Sequence, residues 1–456
     1  MSIKATGRKR VAFHTLGCKV NQNETEALSA LFRERGYEIV AFEDEADFYV
    51  INTCTVTHLA DRKSRQMIRR AAKTNPQADI VVTGCYAQTD AEAVQKIPGV
   101  SLIVGTNEKA HLVDLVEELQ AGQKSEDHDT NEAKQKNQVK IYVRKYRELK
   151  DFEEFKVDKD VQRARAYLKV QEGCNQFCSY CIIPYARGPV RSRTLQNTLE
   201  EAEKLIRHGF KEIVLTGIHL GAYGLDLGKK QNLVSLLQKL LALDPKVRWR
   251  LSSLEPTEVT GGLISLLKDY ANFCPHLHLP LQSGHDEILK AMHRPYTTAQ
   301  YLETIRKIRK AVPDIAISTD LMVGFPGEKE EQFQEYLEFV EQVGFSRLHV
   351  FKYSPRQGTP AAQFPDQVPP PVKEARSRKL IRLGNKQEER YAKKFLYRVV
   401  DVLAEEQLAD STWEGSSANY LKVRFKGTSA VRGKIIPVIL QEFAGGYCLG
   451  DVFQLK

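Results

Sequence analysis

Between Gly173 and Arg187 the chain reads GCNQFCSYCIIPYAR, which sets three thiols, Cys174, Cys178 and Cys181, on one short loop. Cysteines so close can wrap one inorganic object. A cubane of iron and sulfide takes one thiolate per iron, so three protein ligands leave one iron with an open coordination position. The loop follows a run that reads as a strand, Tyr167 to Val170, and strand ends of α/β proteins are where ligands bind. Structural zinc competes for the pair Cys178 and Cys181. It asks for four ligands, usually in two separated pairs, and the sequence holds no second CxxC or HxxxH. A disulfide framework suits short secreted chains, whereas this one has 456 residues and 8 cysteines, and its start, MSIKATGRKR, lacks an apolar signal core.

The spacing CxxxCxxC resembles the signature of radical S-adenosylmethionine (SAM) enzymes, and the longer run GCNQFCSYCIIPYARGPVRSR is similar to their methylthiotransferase branch. The resemblance implies a 4Fe-4S cluster on Cys174, Cys178 and Cys181, with SAM chelated to the open iron and cleaved by one electron to a 5′-deoxyadenosyl radical. It names no catalytic residue beyond the cluster ligands.

Residues 10 to 121 alternate β-rich apolar runs (Val11 to Thr15, Phe48 to Asn52, Ile80 to Thr83, Leu102 to Val104) with stretches of helical spacing. That alternation predicts α/β architecture with a doubly wound parallel sheet in the N-terminal domain. Cys18, Cys54 and Cys85 each follow one of these strands, in TLGCKVNQNE, VINTCTVTH and VVTGCYAQ. Parallel strands put their carboxyl ends on one edge, so thiols far apart in sequence can meet there. The alternative is three separate buried cysteines, each a small hydrophobe. These three motifs are similar to those of the methylthiotransferase amino-terminal domain, and the resemblance implies that they hold a second 4Fe-4S cluster carrying the sulfur half of the reaction.

A second βα series runs from Arg163 to about Arg356, with strands expected at 166 to 171, 212 to 216, 247 to 252, 276 to 281, 314 to 321 and 346 to 352. Six units suit the partial (β/α)6 barrel that the resemblance implies. At its expected strand ends stand Thr216, Gly217, Ser253, Glu255, Gln282 and Asp320, and the resemblance makes this edge the SAM pocket. His14, His58 and His219 read as hydrogen-bonding bystanders, Cys274 and Cys448 as structural.

Residues 395 to 456 alternate apolar and polar residues between Gly, Asn and Ser turns, the pattern of a small antiparallel β-barrel. It resembles the TRAM module, an RNA-binding barrel. Lys422 and Arg424, with Tyr420 and Phe425 beside them, are candidates to meet phosphates and unstacked bases. The domains expected are therefore 8–121 (amino-terminal cluster domain), 122–160 (linker, polar in GQKSEDHDTNEAKQKNQVK), 161–394 (radical SAM domain) and 395–456 (TRAM).

The formal charge of +9 permits a polyanionic partner without requiring one. No apolar run is long enough to span a bilayer, so the expected address is the cytoplasm, with no membrane partner. The family resemblance covers nearly the whole chain and implies two 4Fe-4S clusters, SAM, an electron donor such as flavodoxin or ferredoxin, and tRNA as substrate. TLGCKVNQNE and GCNQFCSYCIIPYARG resemble the branch acting on N6-threonylcarbamoyladenosine at tRNA position 37. The alternatives are the branches for isopentenyladenosine or a ribosomal protein, and a non-enzymatic RNA-binding iron–sulfur scaffold. A threonyl carboxylate suits a guanidinium fork, and Arg187, Arg191 and Arg193, just beyond the cysteine loop, are its candidates; the alternative for them is phosphate binding or a surface ion pair.

Overall fold

The computed structural model describes residues 8–126, 138–154, 163–228 and 231–453. The chain divides into two compact units. One holds the amino-terminal sheet together with Glu172–Gln176 and Cys181–Arg191; the other holds Phe177–Tyr180 and the chain from Ser192 onward, with the strand that precedes Gln171.

In the first unit, strands β1 (Arg10–Thr15), β2 (Glu38–Val40), β3 (Phe48–Thr53), β4 (Asp79–Gly84), β5 (Val100–Val104) and β6 (Lys140–Tyr142) form one sheet in the order β2-β1-β3-β4-β5-β6. Every pairing is parallel. All six residues of β3 are buried, as a central parallel strand covered on both faces requires. One face packs Tyr49, Ile51, Ile80 and Val82 against Ile68 and Ala71; the other packs Val50, Val81 and Leu102 against Leu28, Phe32 and Val116. Helix α1 (Lys19–Glu34) follows β1 and α2 (His58–Thr74) follows β3. The hydroxyl of Thr57 accepts from Ala60 N and caps α2, an arrangement worth about 1 kcal/mol. The expected doubly wound sheet is present, with two strands more than the four predicted. One of them, β6, falls inside the span assigned to a linker and pairs Ile103 with Ile141.

In the second unit, β7 (Ala166–Lys169) opens the series; β8 (Gln171–Glu172) and β9 (Arg191–Ser192), each falling on the boundary between the units, flank the cysteine loop. Then come β10 (Glu212–Thr216), β11 (Arg248–Leu251), β12 (His276–His278), β13 (Ala316–Val323) and β14 (Arg347–Lys352). Sheets β11-β10-β7 and β12-β13-β14 are parallel throughout. Bridges Trp249 to Phe273 and Ser253 to His278 join them across the seam, which gives six strands in chain order, an open half-barrel. All six expected strands are found within a few residues.

Strands β15 (Val399–Gln407), β16 (Thr412–Ser417), β17 (Lys422–Lys426), β18 (Ile435–Phe443) and β19 (Cys448–Val452) close into a barrel in the order β15-β16-β17-β19-β18. Its core of Val402, Trp413, Val423, Phe425 and Leu440 is continuous with Ala316 of the half-barrel and with Tyr391 and Phe395. Beneath it, Glu212 accepts from Arg248 at 2.7 Å and from Arg250 at 3.0 Å. Those arginines also donate to Asp401 O and Ala418 O of the barrel, at 2.9 and 3.0 Å.

Candidate functional site

The order β2-β1-β3-β4-β5 reverses direction between β1 and β3, and in open parallel sheets ligands bind outside the strand ends at such a switch point. Cys18 follows β1 and caps α1, Cys54 follows β3, and Cys85 opens the turn of helix after β4. Cys18 and Cys54 each feel the charge of Cys85 and of Arg187. The glycine before each outer thiol makes this convergence possible. A Cβ on Gly17, at φ +104°, would stand 2.9 Å from Cys54 Cβ, and one on Gly84, at φ +95°, 2.4 Å from Thr53 O.

Cys18 reaches the surface, while Cys54 and Cys85 are buried. Burial, with the charge of Cys85 next, pushes the Cys54 thiol up to about 12, so binding as thiolate calls for a cationic partner such as iron. Among the described residues no His, Cys, Asp and Glu side chains are grouped to hold a single ion. The thiols of a cubane each take a different iron and stand further apart. Three thiols after neighbouring strands of one sheet, with the Arg187 Nε–H aimed at Cys85 Sγ at 3.2 Å, therefore fit a cluster.

The other set lies on the loop after β8. Cys174 N donates to Gly188 O at 3.0 Å, and Gln176 N points at Cys174 Sγ at 3.5 Å. Phe177 takes φ +46°, a left-handed turn that non-glycine residues adopt at some cost. Ser179 fixes the next segment through Oγ to Ala291 O at 2.7 Å and N to Met292 O at 3.1 Å. The buried Cys178 accepts from Arg294 Nη1 at 3.4 Å. Arg294 also forms an ion pair with Glu255 and donates Nε to Tyr296 OH at 3.0 Å. Burial alone would lower its hold on the proton, but Tyr180, Glu255, Tyr296 and Cys178 reverse that and keep it charged. Three thiols on a strained loop with a guanidinium against one sulfur are a donor set suited to a cluster with an open iron.

Of the pocket candidates, Thr216, Gly217, Ser253 and Glu255 stand at or just beyond the ends of β10 and β11, Gln282 lies beyond β12, and Asp320 lies within β13. Thr216 ends β10 and is buried. Gly217 lies so close to Gln171 that an added Cβ would meet its Oε1 at 2.8 Å. Ser253 bridges to His278. Gln282, at φ +68°, donates N to Asp320 O and accepts from Met322 N, at 2.9 and 2.7 Å. Asp320 points to the strand face that also carries His278, whose Nε2 is 3.2 Å away.

Some residues that matter here carried little signal in the sequence. His278 Nδ1 and His276 Nε2 both meet Ser318 Oγ, at 2.9 and 3.1 Å, and the His349 ring is centred 5.5 Å from that of His278. The alternation HLH on β12 beside STD on β13 is the pattern that reveals this polar face. Arg294 left no pattern. Glu24, a carboxylate buried on α1 beside Asn21 and Asn23, is the kind of misfit that marks a partnered charge.

Two expectations are corrected. Arg187 is fully buried and committed to Glu24, Glu172, Asn21 and Cys85, so it does not present a fork to a substrate carboxylate. Arg191 is 2% exposed and donates to Arg187 O at 2.9 Å, and Arg193 is 6% exposed and faces Glu201. On the small barrel, Phe425 is core, and the Tyr420 ring lies 4.4 Å from the Arg250 guanidinium, so neither is set out for base stacking. Lys422 and Arg424 are both paired with Glu414, at 3.2 and 2.9 Å, and Arg424 stacks on Tyr447.

With this geometry in place, comparison defines the class. The Radical SAM superfamily model matches residues 168–340, and the model described as uncharacterized protein family UPF0004 matches residues 10–105. In fold, the chain is similar to the radical S-adenosylmethionine methyltransferase TsrM from Kitasatospora setae, at a TM-score of 0.56 with 16% identity, covering 78% of this chain and 77% of that one. This is a radical SAM protein with a parallel-sheet domain ahead of the half-barrel. It is 44% identical, over 94% of this chain and 93% of the relative, to a threonylcarbamoyladenosine tRNA methylthiotransferase, MtaB, of Bacillus subtilis, and 39% identical, over 94% and 100%, to one of Aquifex aeolicus. A tRNA-2-methylthio-N(6)-dimethylallyladenosine synthase of Clostridium botulinum is 35% identical over 93% of this chain and 92% of its own. The chain belongs to the radical SAM methylthiotransferase family, in its MtaB-type branch.

Proposed function

We propose that this protein methylthiolates carbon 2 of N6-threonylcarbamoyladenosine at position 37 of tRNA. The observation that carries the reading is 44% identity over 94% of the chain to a relative of that name. The buried arginines withdraw one physical argument for the substrate, the guanidinium fork, and leave that one standing. When bound, a cluster on Cys174, Cys178 and Cys181 would supply radical chemistry with SAM, and a second on Cys18, Cys54 and Cys85 would supply the sulfur.

This chain's residues position and shield. Arg294 holds Cys178 and Glu255 in fixed relation, and Thr216, Gly217, Ser253, Gln282 and Asp320 offer the strand-end edge along which SAM lies in this reading. A one-electron donor such as flavodoxin or ferredoxin completes the system. For RNA, Lys422 and Arg424 remain the phosphate candidates. Tyr397, 75% exposed, and Phe453, 39% exposed, offer rings to unstacked bases where Tyr420 and Phe425 do not. Among the described residues no helix is long and apolar enough to cross a membrane.

Nucleoside mass spectrometry of tRNA from cells with and without the gene is the test. Loss of the methylthio group from threonylcarbamoyladenosine is the expected result; loss only from the isopentenyl nucleoside would reassign the substrate.

A further inference from the structure

Arg187 ends the short helix Ile183–Arg187, directly after the three-cysteine loop, yet its side chain serves the other thiol set. Nε donates to Cys85 Sγ at 3.2 Å. Nη1 donates to Glu24 at 2.5 Å and to Glu172 at 3.1 Å; Nη2 donates to Asn21 Oδ1 at 2.5 Å and to Glu24 at 3.2 Å. These partners are themselves fixed. Lys109 pairs with Glu24, and the Asn21 amide donates to Leu16 O and Thr53 O, at 2.7 and 3.0 Å. Thus the groups that aim the guanidinium are tied to the ends of β1 and β3, the elements that also present Cys18 and Cys54.

The two carboxylates are served by the Nη atoms alone, so the Nε–H aimed at sulfur is surplus to the ion pairs. A lysine would keep the charge, as Lys109 does beside Glu24, but has no planar fork to reach sulfur and carboxylate together. A hydrogen bond to a ligand sulfur withdraws electron density from it, and hydrogen bonds to the sulfurs set cluster potentials.

We infer that Arg187 is a positioning residue for the amino-terminal thiol set, fixing Cys85 Sγ and raising the reduction potential of the iron–sulfur cluster held by Cys18, Cys54 and Cys85. This rests on the reading that those cysteines hold a cluster.

The test uses full-length protein carrying Cys174→Ala, Cys178→Ala and Cys181→Ala, so that iron bound after anaerobic reconstitution reports the amino-terminal set alone. About four irons per chain are expected in this parent. Adding Arg187→Lys lowers the midpoint potential in an EPR-monitored redox titration and alters the spectrum. An unchanged spectrum, or an unchanged or higher potential, overturns the inference. Where the lysine variant binds too little iron to titrate, the apo proteins decide. Iron loss with an unchanged apo melting temperature supports a positioning role, whereas iron loss with a matching fall in apo stability makes Arg187 a packing residue and overturns it. Absence of iron from the parent itself would defeat the underlying cluster reading, an outcome distinct from failure at Arg187.

Discussion

Gly17 shows how tightly the amino-terminal thiols are specified. Its φ of +104° is a region L side chains avoid, and an added Cβ would meet the Cβ of Cys54 at 2.9 Å and its Sγ at 3.1 Å. Gly17→Ala therefore strains the backbone, at about 1–3 kcal/mol, and displaces Cys54. Iron bound by the amino-terminal set should fall while SAM cleavage persists; normal iron content in the purified variant would contradict this. In the proposed reading, the two cysteine sets separate the two halves of the chemistry. Replacing Cys18, Cys54 and Cys85 together by Ala should leave reductive SAM cleavage and abolish methylthiolation, whereas replacing Cys174, Cys178 and Cys181 should abolish both and leave roughly half the iron. SAM cleavage by the second variant, followed as 5′-deoxyadenosine release, would show the radical assignment to be wrong.

Elements were legible where a period ran long enough to show. The half-barrel strands announced themselves because amphipathic helices separate them, and β3 because its FYVINT run is aromatic and β-branched at every position but Asn52. Strands β2 and β6 escaped because each has three residues at a sheet edge, too few for alternation to register. That Cys18, Cys54 and Cys85 each follow a strand was readable from the sequence. Arg294 and Arg187 were not readable in their roles, because a lone arginine has no period, and what it touches depends on how distant segments fold. Helix α2 offers a test at this scale. Thr57, its cap, stands on the turn that carries Cys54, so Thr57→Ala should cost about 1 kcal/mol. Denaturant unfolding of the apo protein measures it, and a loss below a few tenths would mean that Ala60 N finds another acceptor.

At the scale of the whole second unit, Glu212 joins half-barrel to small barrel. Burial by itself would raise its pKa, but Arg250, Arg165 and Arg248 outweigh that and hold the carboxyl well below the usual carboxylate range. Because the folded value is depressed, this contribution is complete above the ordinary carboxylate pKa of about 4 and is lost only as pH falls below it. Glu212→Gln leaves buried guanidiniums without their counter-charge and should cost about 3–5 kcal/mol. Urea unfolding at neutral pH checks the loss, and limited proteolysis should then release the barrel; wild-type stability would show the arginines compensated elsewhere.

That shared interface decides how RNA binding is to be tested. Removing residues 395–456 would uncover Arg248, Arg250 and Glu212 and strip Val402 and Phe425 from a core they share with Ala316 and Tyr391, so lost tRNA binding in the truncation would report damage as readily as contact. Lys422 and Arg424 are the better probes. They lie on β17 with side chains 47% and 32% exposed, and their pairing with Glu414 is a surface one, weakened by water and screened by salt. Phosphates can displace Glu414 at little cost. Lys422→Ala with Arg424→Ala should leave stability and SAM cleavage near wild type, weaken tRNA binding, and make its fall with salt shallower by about one to two units of logarithmic slope. Affinity and slope identical to wild type would move the phosphate contacts off this strand.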